Sequence, residues 1–547
     1  MKNGKRSIAI LICLIMCAAL LAACGDKGNT ATSPSTSNSP EVSSAVSDSP
    51  VNTPSTNTPQ QDGSVKYADH LEIIMDSTVA PILNPLSAAG SGNTCNWSYR
   101  MMYDTLFEFN VEDGSYMPML ATSCETEDYQ TFIVKLRDDV YFHSGDKFTA
   151  DDVVYTAIQG RDAKGAPCYD YWVEIEEVKA IDDTTVEFKL FNANMDFQYG
   201  ISLSYMAIVN GRSIEKDEIK GYWDGTGAYK IADFSMNDFV AFERNDDYWG
   251  ELPITKTMTW RNVPEISTRA IMMQSGEGQL CFEVSEGDLT RFMADKDNYV
   301  VFPVTINNPT SLHLNQSFPL TNDPDFRMAI AHAIDKPEIA LFAGGELAKT
   351  PPDDAVWGLY TKWRNTDIEV AEYNLEKAKE YLEKSSYKGE TIELTTALTY
   401  NIKAAETLQE QLAKIGITIT INQMDQPSFT SYTVWSDNKA HMSVWSNLLG
   451  AIPVAYRNNF YPGSVHNRSM LVDDELTELF DKVSSVYDEA ERESIYKRMQ
   501  EIVADHNNCI ALFYRTNAVV AAKGVDGCRL YFNTLYDMRY TYQVLDS

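Results

Sequence analysis

The sequence is poor in the features that announce chemistry. Its nine cysteines are scattered over 547 residues, none at Cys-x-x-Cys spacing, which excludes a disulfide framework and the common zinc and thiol-redox sites. Seven histidines never cluster, and there is no Gly-x-Ser-x-Gly elbow, no His-Glu-x-x-His helix and no EF-hand loop, so no template for hydrolysis or metal catalysis is met. Cations are also short. Lys and Arg number 45 against 78 Asp and Glu, a net charge of −33, which excludes a nucleic-acid or polybasic membrane footprint. Dispersed acids of this kind keep a protein soluble and say nothing of a ligand.

Only one long apolar run exists, Ile8 to Ala23, preceded by Lys2, Lys5 and Arg6. It is short for a membrane span and right for the core of a signal peptide. The run ends in Leu20-Leu21-Ala22-Ala23-Cys24, which resembles the bacterial lipobox; that resemblance implies cleavage before Cys24 and a diacylglycerol on its thiol. Loss of residues 1–23 removes three cations and no acid, so the net charge moves from −33 to −36. From Gly25 to Ser64 the chain is nearly all Ser, Thr, Pro, Asn and Asp. Such a segment cannot bury enough surface to offset its ordering entropy, and as a coil it would reach roughly 35 Å. A signal peptide over 1–23 and a lipidated, disordered tether over 24–65 are therefore expected.

The body opens with a strand at Leu71 to Met75, a Gly-rich loop around Gly90 and Gly92, and a helix at about Trp97 to Tyr103. Alternation predicts strands at Thr131 to Leu136 and Thr185 to Leu190, with a helix begun by Thr149-Ala150-Asp151-Asp152. Farther on come a strand at Leu312 to Asn315, a helix opened by Asp323-Pro324 and stopped by Lys336-Pro337, and a helix striped by Leu375, Ala378 and Leu382. A strand at Ile392 to Leu398, a helix striped by Ile402, Ala405, Leu408, Leu412 and Ile415, and a strand at Ile417 to Ile421 form a βαβ unit, hence an α/β region with a parallel sheet. Helices at Glu475 to Val486 and Glu491 to His506 and strands at Ile510 to Tyr514 and Ala518 to Ala522 close the chain. Gly344-Gly345 to Lys349-Thr350 lacks the glycine of a phosphate loop and reads as a helix end. His143 with Asp146 is the pair nearest to a catalytic arrangement, though turn chemistry accounts for both. Cys509 and Cys528 lie where they could pair, but mostly free thiols are expected.

The most distinctive stretch is a hairpin: Gly225-Thr226-Gly227-Ala228-Tyr229 leads into strands at Ala228 to Phe234 and Phe239 to Arg244, followed by Asn245-Asp246-Asp247-Tyr248-Trp249-Gly250. This closely resembles the signature of the peptide-, nickel- and opine-binding family of ABC-importer solute-binding proteins. The resemblance implies an α/β, two-lobe periplasmic-binding-protein-like fold with an extra inserted α+β domain in the first lobe. It implies lobe I from 66–105, 225–307 and 515–547, the inserted domain at 106–224, lobe II at 308–514, and hinges near Thr305 to Ser311 and Tyr514 to Asn517.

The same resemblance implies a binding protein and not an enzyme, with no cofactor and no metal, held on the outer face of the cell membrane through Cys24. It would act as a monomer that passes a small solute to a permease driven by separate ATPase subunits. Ligand-binding residues are expected in the Gly-rich loop and its helix, Ser91, Asn93 and Trp97, and around Trp435, Trp445, Asn447 and Tyr456; for the aromatics, core packing competes with stacking on a solute. Peptide binders of the family carry an aspartate shortly after the equivalent of Trp445, but no acid occurs from Ser443 through Tyr456, and the spacing to Pro453 is one residue longer. A buried ammonium without a carboxylate is costly. A peptide is the leading solute, with N-blocked or cyclic peptides, oligosaccharides and metal chelates open beside it, and an extracellular hydrolase or signalling lipoprotein on the same scaffold is the reading from another class.

Overall fold

Ten strands form one mixed sheet that runs through the whole body. In chain order they are β1 (His70–Met75), β2 (Tyr229–Ser235), β3 (Phe239–Arg244), β4 (Thr257–Asn262), β5 (Leu280–Phe282), β6 (Tyr299–Leu314), β7 (Thr391–Thr396), β8 (Thr418–Gln423), β9 (Met442–Ser446) and β10 (Cys509–Ala522). Their order across the sheet is β8-β7-β9-β6-β10-β5-β1-β4-β3-β2. The computed structural model describes residues 65–76, 83–87, 93–110, 114–352, 356–358, 363–397, 399–446, 454–483, 485–530 and 536–545. The leader, Cys24, the tether, Ser91 and Asn447 lie outside them.

The two central strands join the halves. β6 and β10 pair antiparallel from Tyr299↔Ala522 to His313↔Cys509, with register shifts between Thr305 and Pro309 and between Thr310 and Ser311. One end of β10 carries β5 and through it β1, while the far end of β6 carries β9 and through it β7 and β8. Each half therefore has its own core. In the first, Leu71, Ile73, Tyr229, Val240 and Trp260 pack on Tyr99, Met101 and Met102 of the helix Asn93–Met102. In the second, Leu312, Leu394 and Val444 meet Phe326, Ile330, Leu408 and Leu412 on one sheet face, while Cys509 and Ala511 of β10 meet Trp357, Tyr456, Phe460, Phe480 and Tyr496 on the other. At about 1.5–3 kcal/mol per large buried side chain, either core outweighs any surface contact in holding its half together.

β7 and β8 are parallel neighbours joined through the helix Thr399–Ala413, which is the expected βαβ unit; Gly416 closes that helix with a left-handed φ of 90°. Between β1 and β2 in the chain lies a separate four-stranded sheet, ordered Ala121–Glu125, Thr131–Leu136, Thr185–Leu190, Ile175–Asp182. It has its own core of Phe132, Val134, Phe148, Trp172 and Phe188, covered by the helix Ala150–Asp162, where the Thr149 amide donates to the Asp152 carboxylate at 2.9 Å.

The structure corrects three expectations. The strand expected at Leu312 to Asn315 is only the end of β6, which starts at Tyr299. The two strands expected at Ile510 to Tyr514 and Ala518 to Ala522 are one, β10. Lys336-Pro337 does not merely stop a helix: Asp335 accepts from the Glu338 amide at 3.1 Å and caps a new one, Lys336–Gly344, whose proline lies in the first turn where its missing N–H costs nothing. No disulfide joins Cys509 and Cys528.

Candidate functional site

The hairpin signature is a fastening. Gly225 and Gly227 run so close to the end of the helix Asn93–Met102 that an added Cβ would lie 1.9 and 2.5 Å from backbone atoms of Met102. Only glycine fits there. Thr226 Oγ1, Tyr248 Oη and Trp249 Nε1 then all donate to the buried carboxylate of Asp104, at 3.1, 3.0 and 2.8 Å. Burial raises the pKa of Asp104 and prevails over Arg539 and these three donors, which pull it down. Beside it, Arg539 bonds both Asp537 and Glu108, and Arg100 bonds Glu108. Burial works against the Glu108 carboxylate too, but there the two arginines prevail and hold its pKa below the usual range.

His143 belongs to the same fastening and does not pair with Asp146. Its Nδ1 accepts from the Gly225 amide at 3.3 Å and its Nε2 lies 2.9 Å from the Gly227 carbonyl, while burial lowers its pKa. Asp146 accepts instead from the Asn210 side chain at 3.1 Å.

Polar groups without partners among the described residues occur on both faces of the sheet where its second half approaches the crossing strands. β7 and β9 are parallel, with Thr395 opposite Ser443, and β9 pairs with β6 so that Ser311 faces Trp445 and Thr310 faces Ser446. Ligands of open α/β sheets bind outside such carboxyl ends. Thr396 Oγ1, both side-chain polar atoms of Asn401, Ser311 Oγ and Trp445 Nε1 are buried here with no hydrogen-bond partner among the described residues. Thr396 follows Ile392 and Leu394 on the face covered by the helix Thr399–Ala413, and Asn401 continues the inward stripe of Ala404, Ala405, Leu408 and Leu412. Ser311 and Trp445 lie on the opposite face. Buried polar atoms are ordinarily satisfied, so each of these exceptions is a candidate for bonding by another molecule.

The aromatic residues expected at a site are divided. The Trp445 ring stacks on Phe429 at 4.9 Å and 25°. Trp97, 8% exposed, forms a three-ring group with Phe282 at the end of β5 and Tyr536, at 5.3 and 4.9 Å, and the Tyr536 hydroxyl accepts from Asn517 of β10. Trp435 is half-buried in a single turn, Trp435–Asp437, and stacks on no other ring among the described residues. Tyr456 is packed inside the second half against Trp357, Phe460 and Phe480, with 1% of its surface exposed. Asn93 begins the helix Asn93–Met102; its side chain lies outside the described residues.

Sequence reasoning missed Asp104, Ser311, Thr396, Asn401 and Arg468. None lies in a local motif, and each acquires meaning only from what the fold sets beside it. Among the described residues no group of His, Cys, Asp and Glu is placed to hold a metal ion, and no helix is long and apolar enough to cross a membrane.

Two lobes sharing one sheet through a pair of crossing strands, with unsatisfied polar groups at the strand ends beside the crossing, make the architecture of an extracytoplasmic solute receptor. Comparison with known proteins agrees. The profile of bacterial extracellular solute-binding proteins, family 5 Middle, matches residues 115–466, and the chain belongs to that family. It is 25% identical over 456 residues to the glutathione-binding protein GsiB of Escherichia coli K12, across 78% of this chain and 86% of that one. Among solved structures, the ABC transporter substrate binding protein CtaP of Listeria monocytogenes superposes with a TM-score of 0.79 at 23% identity, over 87% of this chain and all of that one (100%). DppA of Helicobacter pylori, solved with the peptide STSA, superposes with a TM-score of 0.70 at 23% identity, over 87% and 98% of the two chains. The protein is thus an extracellular solute-binding protein and not an enzyme.

Proposed function

We propose that the protein captures short peptides between its two lobes, at the carboxyl ends of β7 and β9, and delivers them to its permease as a monomer tethered outside the membrane by a lipid on Cys24. The observation that carries this reading is the set of unsatisfied buried groups at that place, Ser311, Thr396, Asn401 and Trp445. Hydroxyls and an amide that both donate and accept, beside an indole N–H that only donates, suit the alternating N–H and C=O of an extended peptide, whose main chain supplies affinity while side-chain pockets stay permissive. A relative named for glutathione and a neighbour solved with a peptide support the peptide reading. With no acid from Ser443 through Tyr456, a free α-ammonium has no partner in that stretch, so N-blocked peptides should bind at least as well as free ones.

The proposed body runs over lobe I at 66–105, 225–307 and 515–547, lobe II at 308–514 and an inserted domain at 106–224, with Ser91, Asn93, Trp97 and Asn447 also facing the solute. A thermal-shift screen of mixed di- to pentapeptides, free and N-acetylated, against oligosaccharides and nickel chelates tests the reading. Peptides should raise the melting temperature of the purified protein. A shift confined to sugars or chelates would overturn it.

A further inference from the structure

Among the described residues the strongest unexplained charge is Arg468. It is 4% exposed, yet no described carboxylate pairs with it; its Nε makes one long hydrogen bond, 3.3 Å to Thr433 Oγ1, and the guanidinium carbon lies 5.1 Å from the Trp445 ring and 5.6 Å from Phe429. Burial alone lowers its pKa to about 10. Cation–π contact recovers only part of what desolvation costs a guanidinium. A buried cation in that condition calls for an anion.

The surrounding atoms make the same demand. Ser311 and His313 are on one face of β6, with Ser311 opposite Trp445. His313 Nδ1 lies 3.5 Å from the thiol of Cys509. With that thiol donating, the neutral ring carries its hydrogen on Nε2, which is buried without a partner. Trp445 Nε1 is a donor only and also has none, as do Ser311 Oγ and His466 Nδ1. Burial and then the Arg468 charge lower the pKa values of both His313 and His466, which places both rings in reach of that charge. Among the described residues these groups are rich in donors, and no acid pairs with the guanidinium.

We infer that Arg468, with Trp445, His313 and Ser311 around it, is an anion subsite that takes a carboxylate of the bound solute. The inference rests on the peptide reading for the source of the carboxylate but not for the site. It also accounts for a receptor without an acid after Trp445: the solute would be oriented by its negative end.

Two probes separate the questions. The peptide pool of the function screen is titrated once with free carboxyl termini and once amidated, against wild type, Arg468→Gln, Arg468→Lys and Ser311→Ala. Wild type should bind the free acids at least about 30-fold more tightly than the amides, the range expected when one partner of a buried charge pair is removed. Arg468→Gln should abolish that preference, Arg468→Lys should keep part of it, and Ser311→Ala, which leaves the charge in place, should weaken acid binding severalfold. Equal binding of acids and amides by wild type, or a preference that survives in Arg468→Gln, overturns the subsite and leaves the peptide reading standing. If neither pool binds, the peptide reading fails and crystals soaked in sodium bromide decide the site: an anomalous peak against the guanidinium sustains it, and none overturns it. Should Arg468→Gln not fold, the Lys and Ser311 variants carry the test.

Discussion

Arg492, in the helix Glu489–His506, donates to Asp196 at 3.2 Å across 296 positions of sequence. The bond joins the second half of the sheet to the four-stranded body, and a few residues away Tyr487 stacks on Tyr129 of that body at 4.9 Å and 16°. The arginine side chain is 8% exposed and the aspartate 25%. Losing one partner of a fully buried pair costs about 3–5 kcal/mol, and the access of water to Asp196 reduces this to about 1–3. Asp196→Asn, which keeps shape and removes charge, should lower stability by that amount in urea unfolding. If the pair also holds the halves in this arrangement, the variant should weaken solute binding as well, because a ligand that prefers one arrangement is penalised when that arrangement is less populated. Unchanged affinity would confine the pair to stability.

The Asp104 fastening makes a sharper claim about the signature. Trp249→Phe deletes one of its donors and shrinks the indole to a phenyl ring, so it should cost at least about 1–2 kcal/mol. Asp104→Ala, which strands Thr226, Tyr248 and Trp249 together, should cost more than that one deletion and compromise folding. A Trp249→Phe protein as stable as wild type would show that the motif is kept for something other than this bond.

Much of the scaffold is legible because short-range rules decide it. The strands Thr131–Leu136 and Phe239–Arg244 alternate cleanly, and the helix Thr399–Ala413 carries its stripe and its closing glycine in order. β6 and β10 mislead for a shared reason. Pro303 and Pro309 in one, and Arg515-Thr516-Asn517 in the other, look like breakers because the strands pass there from one core to the next, where three consecutive residues of β10 are only half-buried. A long strand held at both ends need not look apolar in its middle. The site was less legible still: Trp445 is an obvious candidate, but the isolation of Arg468 depends on what does not approach it, which no spacing records.

His313 supplies a pH dependence with a definite sign. Burial first, and the Arg468 charge second, lower its pKa to about 3. The unfolded chain binds a proton near the ordinary value of about 6.5, which the folded chain refuses until about 3. Between those values the unfolded state holds more protons, so stability falls as the pH falls, by about 1.4 kcal/mol per pH unit well below 6.5 from this group. His313→Gln removes the step. Urea unfolding at pH 7, 5 and 4 should show the variant losing less stability than wild type, the carboxylates contributing equally to both. Parallel curves would contradict a neutral buried ring.

The anchor is tested in cells. Cys24→Ala should release the protein from the membrane fraction, and globomycin should leave wild type with an uncleaved leader and a correspondingly larger mass. Membrane retention and mass that change in neither case would exclude lipidation at Cys24.

Closure is where the crossing strands commit the mechanism. Pairing is regular up to Thr305↔Thr516, resumes at Pro309↔Tyr514, and slips again between Thr310 and Ser311, so the ladder is weakest where the two halves of the sheet meet. The Thr305 and Thr516 hydroxyls, 3.0 Å apart, close one side of that gap, and Thr310 to Ser446, also 3.0 Å, closes the other. Outside the strands, Lys403 in the helix after β7 reaches Glu286 of the first half at 3.6 Å, both side chains substantially exposed, a contact too weak to resist motion. Bending is therefore expected at 306–308 and beside Arg515, with each half moving as a body on its own core. A bound peptide that touches both halves should reduce the radius of gyration in small-angle scattering. At one hundred times its dissociation constant it should stabilise the fold by about 2.7 kcal/mol. Stabilisation with an unchanged scattering profile would mean that the solute enters a rigid receptor and that the slipped register at the crossing serves packing alone.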